Sequence, residues 1–135
     1  FYAHAHMLEG AHVLITAGPT QEPIDPVRYI GNRSSGKQGY AIGEAVAEAG
    51  AKVTLVSGPV AIKTQHPNIT RISVTTAQEM LAACEQALPA DMFIAAAAVA
   101  DWRVEKTAES KLKKRESGEA PALTLVENPD ILATL

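Results

Sequence analysis

Apolar positions along the chain fall into short solid runs separated by stretches of helical spacing. His12-Val13-Leu14-Ile15-Thr16-Ala17 is a β-branched apolar run stopped by Gly18-Pro19, and Lys52-Val53-Thr54-Leu55-Val56-Ser57 is a second, ended by Gly58-Pro59. Continuous runs of this kind predict buried parallel strands. Between them, Tyr40 to Ala49 carries apolar residues at helical spacing and Gly50 supplies a stop. Ile69 to Val74 predicts a third strand. Thr76-Ala77-Gln78-Glu79 is a capping box opening a helix through Leu88, which Pro89 helps to end. Met92 to Val99 predicts a fourth, fully apolar strand whose later alanines allow close approach to the backbone, and Leu123 to Val126 a fifth. Asn128-Pro129-Asp130 offers an N-cap, a proline at the first helical position and an acid in the first turn, so a helix should follow.

This alternation predicts an α/β protein with a Rossmann-like, doubly wound, mostly parallel sheet in a three-layer α/β/α arrangement. In such sheets, ligands bind beyond the carboxyl ends of the strands, where strand order reverses. With order 3-2-1-4-5, the first and fourth strands flank that crevice, and the segments Gly18 to Lys37 and Ala97 to Lys111 meet there.

At 135 residues, 47% apolar and 20% charged, the chain can bury a core as one domain without disulfides. Its single cysteine, Cys84, fits a reducing compartment, and its helical setting favours burial over nucleophilic work. No apolar run approaches the roughly 20 residues that span a bilayer, and no secretion signal is visible, so a soluble, cytoplasmic protein is expected. A net charge of −3, with no basic stripe interleaved with aromatics, gives no argument for a nucleic-acid partner. Residues 1–11 are expected to be a linker or cloning remnant. His4 and His6 lack the ligand partners of a metal site.

The segment from Pro23 to Gly39 combines two prolines, a glycine-serine turn and Arg28, Asn32 and Lys37, a composition suited to holding an anion. Amides of Ser35, Gly36 and Lys37 at a helix start, with the hydroxyls of Ser34 and Ser35, can hold a phosphate; plain helix capping is the alternative. Gly31 to Lys37 matches P-loop spacing, but Gln38 stands where a Mg²⁺-binding hydroxyl belongs, and no strand leads straight into the loop. Ser34 to Ile42 resembles the dinucleotide loop of short-chain dehydrogenases. Against that stand the long insertion after Ala17, Ser57 where an acid or arginine usually meets the ribose, and the lack of a Tyr-x-x-x-Lys pair.

Four motifs in order carry a more specific resemblance: Ala17-Gly18-Pro19-Thr20 with Glu22 to Lys37, Ala97 to Trp102, Lys111-Leu112-Lys113-Lys114, and Asn128-Pro129-Asp130-Ile131. Together they resemble bacterial phosphopantothenate–cysteine ligase, a domain that usually forms the C-terminal half of the bifunctional coenzyme A biosynthesis flavoprotein. The resemblance implies that CTP and Mg²⁺ activate 4'-phosphopantothenate as an acyl-cytidylate, which L-cysteine then attacks. It also implies a homodimer and a flavin-dependent decarboxylase as the fused or associated partner.

By resemblance, Lys111 stabilises the transition state at the α-phosphate, Asn32 holds the acyl-cytidylate, and Arg28 acts at the same site. The resemblance also assigns Ala97 and Asp101 to nucleotide contacts and Pro129, Asp130, Ile131 and Leu132 to a segment closing over the nucleotide. Gly18, Ser34, Ser35, Gly36 and Lys37 form the phosphate loop. Each has a plainer alternative: Lys111 a solvated lysine, Asn32 a turn former, Arg28 a surface ion pair with Asp25 or Glu22, and Ala97 a small packed residue. No residue is assigned to the metal. The family's further flap lysines have no counterpart here, so residues 12–135 are expected to be a C-terminally incomplete domain that binds CTP with slow or no turnover. An NAD(P)-binding oxidoreductase and a non-catalytic nucleotide-binding module are the other readings of the same loop.

Overall fold

The computed structural model describes residues 7–105, 107 and 124–135. Its elements are β1 (His12–Ala17), β2 (Gln21–Pro23), β3 (Tyr29–Gly31), α1 (Lys37–Glu48), β4 (Lys52–Ser57), β5 (Ile69–Ser73), α2 (Ala77–Ala87), β6 (Met92–Ala95), β7 (Trp102–Val104), β8 (Leu125–Glu127) and α3 (Ile131–Thr134). The main sheet has the order β5-β4-β1-β6, and every pairing in it is parallel.

β1 lies between two neighbours and is buried from Val13 to Ala17. Because successive side chains of a strand point to opposite faces, its residues divide between two cores. Val13, Ile15 and Ala17 pack with Tyr40 and Ala47 of α1, while Leu14 packs with Met80, Ala83 and Cys84 of α2 and Ile131 of α3. Helices on both faces of a parallel sheet make the three-layer, Rossmann-like fold that the apolar runs predict. Gly39 lets α1 lie directly on β1: a Cβ there would stand 2.4 Å from Ala17 Cβ.

Four details differ from the sequence reading. The fifth strand is not in the main sheet. Only Leu125–Glu127 is extended among the described residues, and it pairs antiparallel with β7, Trp102 opposite Glu127. The fourth strand is regular only to Ala95, although the same parallel register with the β1 chain runs on to the Pro19–Ala98 bridge. Among the described residues it is also an edge strand, with Met92 47% exposed. The helix after Asn128 is capped by Asp130, whose carboxylate accepts from the Ala133 amide, so Pro129 lies outside it. Residues 8–11 are attached to the domain and do not form a free linker. Leu8 packs against the α1 core and its amide donates to Ala49 O at 2.9 Å.

Candidate functional site

A cleft of about 510 Å³ opens at the carboxyl ends of β1 and β6. Thr16, Phe93 and Ala95 contribute to it from the strands; the segment from Ala97 to Trp102, apart from Ala98, and Glu127 to Leu132 supply the rest of its described lining. Six residues singled out in the sequence line this cleft: Ala97, Asp101, Pro129, Asp130, Ile131 and Leu132. Asn128 fastens the two segments together. Its amide donates to Asp101 O at 2.8 Å, and its side-chain Nδ2 donates to Ala100 O at 2.7 Å. A residue read from sequence as a helix cap is thus a latch.

The loop after β1 meets this wall, as the topology argument requires. Pro19 bridges to Ala98, the Ala98 amide donates to Gly18 O at 2.8 Å, and Asn32 Nδ2 donates to Ala98 O at 3.3 Å. The strand ladder between β2 and β3 brings Asn32 back to the point from which the loop departed. Gly18 and Gly36 lie side by side, both at positive φ, and a Cβ on Gly36 would sit 3.5 Å from Gly18 Cα and 3.1 Å from Val60 Cγ1.

The start of α1 is not closed by a side chain. Gly36 occupies the cap position without a side-chain hydrogen bond, while Ser34 Oγ accepts from the Gly36 amide at 3.3 Å and Ser35 Oγ from the Lys37 amide at 3.4 Å. Both serines therefore shape the approach to the helix, and Lys37 is exposed at its first residue.

Arg28 is paired with Asp25. Its Nη2 and Nε stand 2.7 and 3.1 Å from Asp25 Oδ2, while Asp25 Oδ1 accepts from the Val27 and Arg28 amides. The Asp25 side chain is fully buried, whereas that of Arg28 is 46% exposed. Arg28 is not among the residues lining the cleft, and Lys111 lies outside the described residues.

Asp101, Glu127 and Asp130 are the acidic residues lining the cleft, with no lysine or arginine among the described lining residues. Among the described residues, no group of three or more histidine, cysteine or acidic side chains is arranged to hold a metal ion. Ser57, at the end of β4, is buried and committed: it accepts from Tyr40 OH at 2.7 Å and donates to Gly58 O at 2.8 Å. That removes the position at which a dinucleotide ribose would ordinarily be read. Burial, aided by neighbouring Glu85, pushes the Cys84 thiol up to about 11, which fits a core residue and not a nucleophile. Thr16, Trp102, Glu127 and Asn128 were not singled out as ligand contacts. Trp102, beside Asp101 and 47% exposed, had a usable signal, since an exposed indole next to a carboxylate in a loop is an unusual arrangement.

Residues 8–135 match the family described as the DNA/pantothenate metabolism flavoprotein C-terminal domain. The chain belongs to this family. It is 54% identical over 130 residues to the coenzyme A biosynthesis bifunctional protein CoaBC of Vibrio parahaemolyticus, covering 96% of this chain and 32% of that protein. Against the protein of the same name from Escherichia coli K12 the identity is 50% over 128 residues, covering 93% and 31%. The chain thus spans about a third of the length of the relatives it matches. A crystal structure of the C-terminal domain of CoaBC superimposes with a TM-score of 0.80 at 42% identity, covering 96% of this chain and 59% of that one. No helix among the described residues of this family member is long and apolar enough to cross a membrane.

Proposed function

We propose that the chain is the ligase domain that joins 4'-phosphopantothenate to L-cysteine at the expense of CTP, within a bifunctional coenzyme A biosynthesis protein. The supporting observation is the convergence of the β1 loop and the alanine segment after β6, with Asn32 bonded to Ala98, which stands between Ala97 and Val99 of the cleft that Asp101 and Pro129 to Leu132 also line.

The electrostatics suggest how the nucleotide lies. A cleft edged by Asp101, Glu127 and Asp130 repels phosphate but can accept hydrogen bonds from ribose hydroxyls and an exocyclic amine. The triphosphate therefore belongs beside Gly18 and Gly36, where the open start of α1 and Lys37 offer positive potential. Asn32 would orient the carboxylate, which attacks the α-phosphorus as pyrophosphate leaves. The cysteine amine then attacks the acyl carbon and CMP leaves. Lys111 offsets the charge that builds at the α-phosphate. Mg²⁺, when bound, supplies further neutralisation there. One or two carboxylates with substrate phosphates suffice for this ion, which suits a site without a three-ligand group among the described residues. A cytoplasmic homodimer sharing its polypeptide with a flavin-dependent decarboxylase completes the reading.

The test is pyrophosphate release from CTP, Mg²⁺ and 4'-phosphopantothenate without cysteine, in the parent chain and in Lys111→Ala. Release that collapses in the variant is expected. A folded chain that binds CTP yet releases nothing would point to the missing flap lysines or to a non-catalytic nucleotide-binding module. Binding of NAD(P)H without competition from CTP would favour an oxidoreductase.

A further inference from the structure

We propose that Thr20 is a positioning residue that sets the register between the two halves of the site; the inference rests on the ligase reading above. Thr20 is fully buried, though it belongs to a loop and carries a hydroxyl. Its backbone amide donates to Ala98 O at 3.2 Å, and its Oγ1 accepts from the Ala100 amide at 2.9 Å. Thr20 therefore grips the alanine segment at two points, on either side of Val99. Ala98 O is also the acceptor for Asn32 Nδ2, so one carbonyl receives both Thr20 and the residue assigned to the acyl-cytidylate.

The grip extends to the far wall. Ala100 and Asp101 offer the carbonyls on which Asn128 latches. A displacement at Ala100 would shift Asp101 and loosen the segment from Pro129 to Leu132 together. On its other side, Thr20 leads into a strand that is itself fixed. The Gln21 amide donates to Thr75 O at 2.7 Å, and the buried Glu22 carboxylate accepts from the Ala77 amide at 3.0 Å. Thr20 thus sits between the bonded start of α2 and the segment that lines the cleft. Among the described residues its hydroxyl is the acceptor for the Ala100 amide, and Ala100 is buried, so water is a poor substitute.

Thr20→Val preserves the shape of the side chain and removes the acceptor; Thr20→Ser keeps the acceptor and removes the methyl. In Thr20→Val, kcat for pyrophosphate release should fall by about a hundredfold, because reacting groups are misaligned, while CTP affinity measured by calorimetry changes by less than about tenfold. Thr20→Ser should recover kcat to within about fivefold of the parent. Equal losses of affinity and kcat in Thr20→Val, unchanged turnover in Thr20→Val, or a serine variant as poor as the valine variant would each overturn the proposal. Hydrogen exchange in the unaltered chain gives a test independent of any variant's folding: the Ala100 amide should exchange slowly, and fast exchange would overturn the assignment. If the parent binds no CTP, the ligase reading fails; if it binds CTP but releases no pyrophosphate, as an incomplete domain would, Thr20's register role is decided by that exchange rate alone.

Discussion

The two long helices begin in opposite ways. α2 starts with every device available for closing a helix end: Thr76 Oγ1 accepts from the Glu79 amide, Glu79 accepts in return from the Thr75 and Thr76 amides, and Glu22 reaches from β2 to the Ala77 amide. α1 starts at a glycine in the left-handed region, with no side-chain cap and only two long bonds from serine hydroxyls beside it. The first four amides of a helix have no partner within it, and a fold ordinarily satisfies them locally. Where it does so at α2, the helix end is structural; where it refrains at α1, next to Gly18 and Asn32, the free amides are available to an anionic ligand.

The contrast can be broken at either end. Glu22→Ala should have the largest effect, since it strips a buried acceptor from the Ala77 amide and leaves a cavity. A loss of about 3 kcal/mol is expected in urea denaturation. Gly36→Ala should cost about 1 to 2 kcal/mol, because its φ of 77° strains an L side chain and Val60 Cγ1 stands 3.1 Å from the new Cβ. It should also weaken CTP binding by about tenfold, as measured by calorimetry, by narrowing the phosphate approach. Thr76→Ala should cost about 1 kcal/mol of stability and leave CTP affinity unchanged. If CTP affinity fell there instead, the division between a structural and a binding helix end would be wrong.

The smallest effect concerns pH. The Thr76 amide, followed by the Thr75 amide and the Thr76 hydroxyl, holds the Glu79 carboxyl below its usual 4.5 against a weaker opposing effect of burial. A carboxyl lowered on folding stabilises the fold above its unfolded value, and that contribution disappears as pH falls through the folded value. Melting temperatures of the parent and Glu79→Gln should therefore differ above about pH 5 and converge in acid.

The local and the long-range parts of this fold were unequally legible. β1, β4 and the capping box at Thr76 could be read directly, because solid apolar runs and cap chemistry are written in adjacent residues. The hairpin of β2 and β3 and the strand β7 could not, since strands of three residues show no period, and β8 was read as a strand from Leu123 to Val126 but not as the antiparallel partner of β7. The alanine segment, read as one strand from Met92 to Val99, is regular only to Ala95, yet its parallel register with the β1 chain does continue to the Pro19–Ala98 bridge. For Arg28, the ion pair with Asp25 weighed as the plain alternative is the contact present. The lining of the cleft by Ala97, Asp101 and Pro129 to Leu132 was legible only through the family motifs; nothing local distinguishes those residues. Asn128 and Thr20 escaped because their partners, Ala100 and Ala98, are backbone groups far away in the chain.

The position of β1 at the middle of the sheet has a consequence for how the molecule is made. Its ladder with β4 joins residues some forty places apart, from His12 with Lys52 to Ala17 with Ser57, and its ladder with β6 ends at Thr16 with Ala95. On a ribosome releasing the chain from its amino end, β1 emerges first and waits longest for its second neighbour. The phosphate loop and α1 can settle on β1 and β4 while the cleft still has neither wall, since both walls lie beyond Ala95. The start of α1 can therefore form before the cleft has either wall, and those walls close only after the chain has emerged past Leu132.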